Sequence, residues 1–425
     1  MLINLRAKNC YSFDQEIEFS LKADMRYKRF SSNVFQKNNF NILKVAGIYG
    51  QNNAGKTCLI KCIREMRNIL LNERTTIQSN FYTNNHVCEL GVTFFVEGRE
   101  FDFDCKYDTE TDEFIYERFA EIQKDQYGNE SENVWLLKDS INHEFKCIDN
   151  DAEQMMSLIA KNSLLCYMFD VSKFTYLAEM KRLIRLFAEK IDVIDMNNIP
   201  IKKTIELLKN ENNLQKKVVS FIKNADLYMD DFKYVKADAI EMKIVKEKTK
   251  PEEKVLDIPE QLMDQIRLTS VYRGKPVPSI LFDSTGTKKI AALASYIIEG
   301  LEEGRIIVID EMDSSIHFKL TRAIVALFNN ELNIDAQLIF TVHDINLMDC
   351  KRLFRKEQIW FVHKDKEGVY VYSLADFTAQ QGVRESTDIM EKYRKGALGA
   401  LPEPELINSL LDVRGRNEVV NDDEE

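Results

Sequence analysis

The order of hydrophobic and polar residues predicts three regions with different secondary structure. Up to about residue 140 the pattern is mostly that of strands: EIEFSLK alternates, and LGVTFFVEGREFDFDCKYD is typical of two strands joined at Glu97 and Gly98. From about 150 to 230 the spacing is helical. LAEMKRLIRLFAEKI has one apolar stripe, formed by Leu177, Met180, Leu183, Ile184 and Phe187. From about residue 265, strands and helices alternate, so an α/β fold is expected.

Breaks in these patterns suggest the domain limits. Pro200 interrupts the helical region before a second helical run, and the charge-rich residues 241–256 suggest an exposed hairpin or loop. We predict one lobe at 1–150, a second lobe at 263–400, and a C-terminal helix with an acidic tail at 401–425. Between the lobes we predict a mainly helical insertion at 151–262 that serves as a dimer or partner surface.

A glycine-rich segment follows the short apolar run before residue 47. Its sequence GQNNAGKT, residues 50–57, fits G-x-x-x-x-G-K-[ST], and a predicted helix follows it. Glycines let the backbone turn its N–H groups toward phosphate, at the positive end of the helix dipole. Lys56 would reach the β- and γ-phosphates, and the Thr57 hydroxyl would bind Mg²⁺. The predicted nucleotide-binding residues are Gly50, Asn52, Asn53, Ala54, Gly55, Lys56, Thr57 and Cys58. The alternative is a plain strand–turn–helix with a solvated lysine.

Two carboxylates end a predicted buried strand in GRIIVIDE, residues 304–311. Ligands of open α/β sheets bind at the C-terminal edge of the strands. We therefore predict that Asp310 holds Mg²⁺ and that Glu311 is the general base for an attacking water. The alternative is an acidic helix N-terminus, because DEMDSS also suits a helix cap.

A second apolar run, QLIFTV, ends at His343. A histidine just beyond a core strand is well placed to contact a γ-phosphate, so His343 is the second predicted catalytic residue. A lone histidine can also have a purely structural role.

The order of these three elements resembles that of ABC-type ATPases, in particular the OLD-family, SMC and Rad-type head domains. FDSTGTKK, residues 282–289, opens the helix IAALASYIIEGL at the place of the ABC signature. The resemblance implies that Ser284, Thr285 and Gly286 close over the ATP of a second subunit, and that Asp313 and Ser314 form the D-loop. The alternative for the signature is an ordinary Ser/Thr-capped helix.

This resemblance implies an ABC-type P-loop ATPase head, with a mixed sheet, an antiparallel lobe and an inserted helical domain. It also implies ATP and Mg²⁺ as ligands, and self-association into an ATP-sandwiched homodimer or higher oligomer. Tyr11 stands where many members have Arg in the first turn, so a contact made by that Arg is not carried over. Gln123 and Gln126 are the candidates for the glutamine loop.

Composition narrows the class of protein. The net charge of −11 argues against a broad nucleic-acid-binding surface. No apolar run approaches the ~18 residues of a membrane span, and MLINLRAKNC lacks the pattern of a signal peptide. The eight Cys contain no CxxC pair, which indicates reduced core residues of a cytoplasmic protein and no zinc site. The basic residues Lys181, Arg182, Arg185 and Lys190 are either a nucleic-acid or partner patch or a solvated helix face.

The chain further resembles stand-alone ATPase subunits of phage-defence and restriction-linked loci, including an ending, YRKGALGALP, similar to their Gly-Ala-Ile-Pro. The resemblance implies a sensor or scaffold ATPase that responds to a phage-derived trigger. It would control a separately encoded effector, such as a TOPRIM-type nuclease. The alternatives are a DNA repair or end-processing ATPase and a non-hydrolysing nucleotide switch. The acidic charge disfavours the DNA-processing alternative, and the set Lys56, Asp310, Glu311 and His343 disfavours the non-hydrolysing switch.

Overall fold

The computed structural model describes residues 1–37, 40–124, 130–149, 151–152, 162–168, 173–210, 212–225, 228–235, 260–378, 380–384 and 387–401. The predicted loop at 241–256, Gln126 and all but the first residue of the predicted C-terminal helix and tail lie outside these ranges.

The strands, in chain order, are β1 (Leu2–Lys8), β2 (Ile17–Ser20), β3 (Val34–Lys37), β4 (Phe40–Leu43), β5 (Val45–Gly50), β6 (Val87–Val96), β7 (Arg99–Asp108), β8 (Glu113–Lys124), β9 (Glu130–Asp139), β10 (Glu144–Cys147), β11 (Ile191–Asp195), β12 (Asp231–Tyr234), β13 (Leu268–Tyr272), β14 (Lys275–Pro278), β15 (Ile306–Asp310), β16 (Gln337–Thr341), β17 (Ile359–Lys364) and β18 (Val369–Ser373). The helices are α1 (Lys56–Leu71), α2 (Thr175–Ala188), α3 (Lys202–Lys209), α4 (Asn213–Asn224), α5 (Glu260–Arg267), α6 (Ser279–Phe282), α7 (Thr285–Glu303), α8 (Phe318–Phe328) and α9 (Ile389–Arg394).

An antiparallel sheet forms one lobe, in the order β10-β9-β8-β7-β6-β1-β2 within the described residues. The predicted turn between β6 and β7 is confirmed: Glu97 and Gly98 have φ of 49° and 81°, and Val96 pairs with Arg99. Two consecutive positive φ values are those of a type I′ hairpin turn, in which glycine is favoured. The inner face carries aromatic side chains, and Phe101 and Phe119 stack with centroids 5.3 Å apart.

The second sheet has the order β11-β15-β16-β5-β17-β18 among the described strands. β11, β15, β16, β5 and β17 are parallel, and β18 is antiparallel to β17. Every residue of β5, β15 and β16 is buried, as expected for strands covered on both faces. Because β15, β16 and β5 are neighbours, the segments that follow them meet at one edge. The predicted α/β class, with a mixed sheet beside an antiparallel lobe, is confirmed.

The range predicted as a helical insertion shares its structure with both lobes. Its β11 pairs with β15 from Ile191 opposite Ile306 to Asp195 opposite Asp310, so β11 is part of the second sheet. Its α2 has the predicted buried stripe and packs on the antiparallel lobe, where Phe187 stacks on Phe94 at 4.4 Å. Helices α3 and α4 pack on α7. The sequence pattern predicts a helical insertion, whereas the structure has a strand here, because the short segment IDVID lies between two longer helical patterns.

The basic face of α2 is engaged in ion pairs. Arg182 pairs with Glu97 and Glu179, and Arg185 pairs with Glu189. These pairs favour the solvated helix face over a nucleic-acid patch.

Six of the eight cysteines are buried, in agreement with the prediction that they are core residues. No helix in the described part of the chain is long and apolar enough to cross a membrane.

Candidate functional site

The loop between β5 and α1 is shaped by two glycines. Gly50 has φ 155°, and a Cβ there would lie 2.2 Å from the carbonyl oxygen of Val362 on the neighbouring β17. Gly55 has φ 113°, and a Cβ there would lie 2.8 Å from Ser12 Oγ. Neither position accepts a side chain without a shift of its neighbours. Gly55 is also the N-cap of α1 and has no side chain to cap it, so the first-turn amides remain available to an anion.

Lys56 is buried beneath this loop. Its Nζ donates hydrogen bonds to the carbonyl oxygens of Gly50 at 2.7 Å and Gln51 at 2.9 Å. Burial lowers the pKa of Lys56 to about 8, against the opposing effect of nearby Asp310 and Asp313. Because burial removes water from the Lys56 ammonium, a bound anion would strongly stabilise its charged form.

The carboxylates at the end of β15 are held by the neighbouring strand. Asp310 is buried, and its Oδ1 accepts a hydrogen bond from Thr341 Oγ1 at 2.6 Å. The same hydroxyl accepts from the backbone N–H of Glu311 at 2.7 Å. Glu311 has φ 55°, uncommon for a residue other than glycine, and its Oε2 accepts from Asn197 Nδ2 at 2.9 Å. Thr341 therefore fixes both carboxylate residues at the sheet edge.

The predicted D-loop contacts the segment that carries His343. Asp313 Oδ2 accepts from the backbone N–H groups of His343 at 2.9 Å and Asp344 at 2.7 Å. Ser314 Oγ accepts from Lys289 Nζ at 3.0 Å. The side chain of His343 is left exposed at the cleft mouth.

These elements enclose one cleft of about 800 Å³. Among the predicted residues, its lining contains Asn52, Asn53, Gly55, Lys56, Thr57, Cys58, Asp310, Glu311, Asp313, Ser314 and His343. Gly50 and Ala54 are buried and do not line the cleft.

Four lining residues were not predicted as site residues: Ser12, Gln51, Lys61 and Lys364. Ser12 Oγ is buried and has no hydrogen-bond partner among the described residues. Lys61 lies four residues after Thr57 on α1, a spacing that places both on one helix face and could have identified it. Lys364 ends β17, and only the strand order brings it here.

The predicted signature residues lie apart from this cleft. Ser284 is the N-cap of α7, and its Oγ accepts from the backbone N–H of Thr287 at 3.1 Å. Ser284 and Gly286 line a different cleft, together with Ser315 and His317, and Ser284 and Thr285 are exposed. Gln123 lies on β8, away from the cleft.

Sequence comparison identifies a family for most of the chain. The family described as "AAA domain, putative AbiEii toxin, Type IV TA system" matches residues 45–349. This range includes the loop, both carboxylates, the signature segment and His343. No curated protein matches the chain.

The fold is also similar to those of solved structures of SMC heads. The SMC head domain from Thermotoga maritima is 12% identical, with a TM-score of 0.40 over 88% of this chain and 98% of that one. The SmcHead bound to the C-winged helix domain of ScpA is 12% identical, with a TM-score of 0.47 over 88% and 97%. The Smc head with an extended coiled coil bound to the C-terminal domain of ScpA, from Pyrococcus furiosus, is 11% identical, with a TM-score of 0.44 over 92% and 99%.

Proposed function

This chain belongs to that AAA domain family, and we propose that it is a Mg²⁺-dependent ATP phosphohydrolase of the ABC type that works as an ATP-sandwiched dimer. One observation carries the proposal: the phosphate loop, the Asp310–Glu311 pair and His343 line a single cleft. A strand–turn–helix with a solvated lysine does not account for it, because Lys56 is only 6% exposed.

The residues of the cleft fit a nucleoside triphosphate. The α1 N-terminus, Lys56 and the Ser12 hydroxyl, which has no hydrogen-bond partner in the described part of the chain, supply donors for phosphate oxygens. Thr57 and Asp310 are the oxygen ligands that would hold Mg²⁺, which neutralises developing phosphate charge when bound. No cluster of three or more His, Cys, Asp or Glu in the described ranges could hold a metal ion alone. That fits Mg²⁺, which usually takes one or two protein ligands and completes its shell with phosphates and water.

Glu311 is the proposed general base. Its backbone is anchored by Thr341, and its carboxylate is only partly exposed at the rim of the cleft. His343 is exposed and lines the same cleft, where a ring N–H can donate to a γ-phosphate oxygen. Asp313 accepts a hydrogen bond from the His343 N–H, which connects the segment after β15 to the segment after β16.

Dimerisation is supported by the position of the signature. Ser284 caps a helix whose N-terminus faces outward, and it lies outside the cleft of its own chain. A helix N-terminus with a small hydroxyl is suited to an anion. In this proposal, that anion is the ATP held by a second copy of the chain.

The first experiment is Mg²⁺-dependent phosphate release measured over a range of protein concentrations. We expect slow hydrolysis with a rate per subunit that rises with concentration, and loss of ATP binding in Lys56→Ala. ATP binding by Lys56→Ala at the unaltered affinity would refute the phosphate-loop assignment. Binding without any hydrolysis would favour the non-hydrolysing switch.

The biological role we propose is that of a sensor or scaffold subunit in anti-phage defence, which controls a separately encoded effector. Hydrolysis alone does no work on a phage, whereas closure of two subunits is a two-state change that can hold or free a partner. The observation behind this role is that the reactive site recognised among the described residues is the cleft that fits ATP.

The family description favours a second candidate, in which this chain is itself the toxin of a two-gene pair. Phage plating and growth distinguish the two. We expect protection only from this gene together with its neighbouring gene, and none when Glu311→Gln replaces the unaltered protein in the pair. Full protection from this gene alone would refute the sensor–effector role. Growth arrest by this chain alone, relieved by the neighbouring gene, would favour the toxin.

A further inference from the structure

Asn197 makes a direct contact with Glu311 that the sequence motifs do not suggest. It lies in the turn after β11, in the range predicted as an insertion, and its Nδ2 donates to Glu311 Oε2 at 2.9 Å. We infer that Asn197 is a positioning residue for Glu311, which sets the direction of the catalytic carboxylate. This inference rests on the proposed ATP hydrolysis and on Glu311 as its base.

The turn that carries Asn197 is fixed to the catalytic strand. Asp195 pairs with Asp310 at the end of the β11–β15 ladder, and the Met196 N–H donates to the Asp310 carbonyl at 3.2 Å. The Asn197 N–H donates to Asp195 Oδ1 at 2.9 Å. The backbone that carries the Asn197 side-chain amide is therefore held in place, although Asn197 itself is exposed.

Glu311 needs such a partner because the other contacts given above fix its backbone and leave its carboxylate free. Its N–H is bound to Thr341 Oγ1, and its φ of 55° commits the chain to one direction. A partly exposed glutamate otherwise samples several rotamers, which lowers the fraction aimed at a substrate water. The hydrogen bond from Asn197 selects one of them.

The same amide also connects Glu311 to the signature helix. Lys289 on α7 donates to Ser314 Oγ at 3.0 Å, and Ser314 Oγ lies 3.4 Å from Asn197 Oδ1. In this series of hydrogen bonds the Lys289 ammonium donates to the Ser314 hydroxyl, which donates to the Asn197 amide oxygen. The Asn197 amide nitrogen then donates to the Glu311 carboxylate. A displacement of α7 by a second subunit would therefore reach Glu311 through Ser314 and Asn197.

The kinetic test compares Asn197→Ala with Asn198→Ala, a matched control on the same turn. Within the described residues, no hydrogen bond from the Asn198 side chain reaches Glu311 or Ser314. In single-turnover ATP cleavage we expect Asn197→Ala to be about tenfold slower, with ATP affinity within about twofold of the unaltered protein. Asn197→Asp, which cannot donate and carries a like charge, should be slower still. Asn198→Ala should be normal.

Two further measurements separate positioning of Glu311 from a general structural effect. In a Glu311→Gln background, Asn197→Ala should cause no additional loss of residual cleavage. In the nucleotide-free protein, amide hydrogen exchange of residues 311–315 should be faster in Asn197→Ala and unchanged in Asn198→Ala.

The inference is overturned if Asn197→Ala cleaves ATP at the normal rate, or if its loss persists in full in the Glu311→Gln background. Either result leaves the proposed function intact, provided that Lys56→Ala and Glu311→Gln behave as expected. An unaltered protein that binds ATP and never cleaves it would overturn both.

Discussion

Replacing Ser284 with Asp tests whether the signature acts on the nucleotide of another subunit. Asp, Asn and Ser are comparable N-cap residues, so the α7 N-terminus keeps a side-chain acceptor for the Thr287 N–H. A negative charge at a helix N-terminus is itself favourable. The melting temperature should therefore not fall. Ser284→Asn is the matched control, because it differs from Ser284→Asp in charge and hardly in shape.

The expected kinetic effect follows from electrostatics. Two unit charges about 4 Å apart repel by about 4 kcal/mol at an effective dielectric constant of about 20. Solvent at the rim of a subunit interface reduces this, so we expect about 3 kcal/mol, or about a hundredfold slower hydrolysis. ATP binding to a single subunit should be unchanged, because Ser284 does not line the cleft that contains Lys56.

A mixing experiment gives the decisive readout. Alone, Ser284→Asp should hydrolyse ATP about a hundredfold more slowly, and Lys56→Ala should fail to bind it. In an equal mixture, half of the dimers pair one of each, and each mixed dimer has one intact composite site. That site takes its phosphate loop from the Ser284→Asp subunit and its signature from the Lys56→Ala subunit. Phosphate release should recover to about a quarter of the unaltered rate.

A mixture that is no more active than its components, while mixed dimers form on a sizing column, would refute a site shared between two subunits. Hydrolysis by Ser284→Asp as fast as by Ser284→Asn would also refute it. Reduced ATP affinity of the isolated Ser284→Asp subunit would instead place the signature in its own cleft.

Three further predictions concern groups inside one subunit. Glu311→Gln keeps the shape of the side chain and removes the base, so ATP-bound dimers should accumulate on a sizing column; hydrolysis at the normal rate would remove Glu311 from the mechanism. Thr341→Val leaves the Glu311 N–H and Asp310 without their shared hydroxyl, and should lower the free energy of unfolding in urea by about 1–3 kcal/mol, whereas Thr341→Ser should not. Burial lowers the pKa of Lys44 to about 8, below its ordinary value in an unfolded chain. Between pH 8 and about 10.5 the unfolded state therefore binds more protons than the folded state, so the free energy of unfolding should increase as pH rises. Between pH 8 and 9.5 the free energy of unfolding should increase more, or decrease less, in the unaltered protein than in Lys44→Met. An equal change in the two proteins would contradict this prediction.

The parts of the site that the sequence predicts are those in which chemistry and a buried strand are adjacent in the chain. The phosphate loop follows β5, Asp310 ends β15 and His343 follows β16, so parallel pairing of these strands suffices to bring them together. Thr341 and Asn197 could not be found in this way. Thr341 contacts Asp310 across a strand pair, and Asn197 reaches Glu311 from 114 positions away in sequence.

The extent of the helical insertion could not be predicted from the sequence for a related reason. A strand of five residues, Ile191–Asp195, has too few positions to establish a period of two against the helical patterns on both sides. Its identity as a strand is decided by pairing with β15, which supplies hydrogen bonds for its backbone. The consequence is functional, because this strand delivers Asn197 to Glu311.

Lysines near Tyr11 contribute to the charge balance of the cleft. The turn lacks the arginine of similar ATPases, and Lys61 Nζ lies 5.4 Å over the Tyr11 ring, within the range of a cation–π contact. Lys364 lines the same cleft from β17. With Lys56, these two lysines offset the charges of Asp310, Glu311 and Asp313, so the cleft has no excess of positive charge to offer a free triphosphate. In the proposed mechanism, neutralisation of the nucleotide therefore relies on Mg²⁺ and on the signature helix of a second subunit. We therefore expect a single chain to hydrolyse ATP slowly until a second chain closes over the nucleotide.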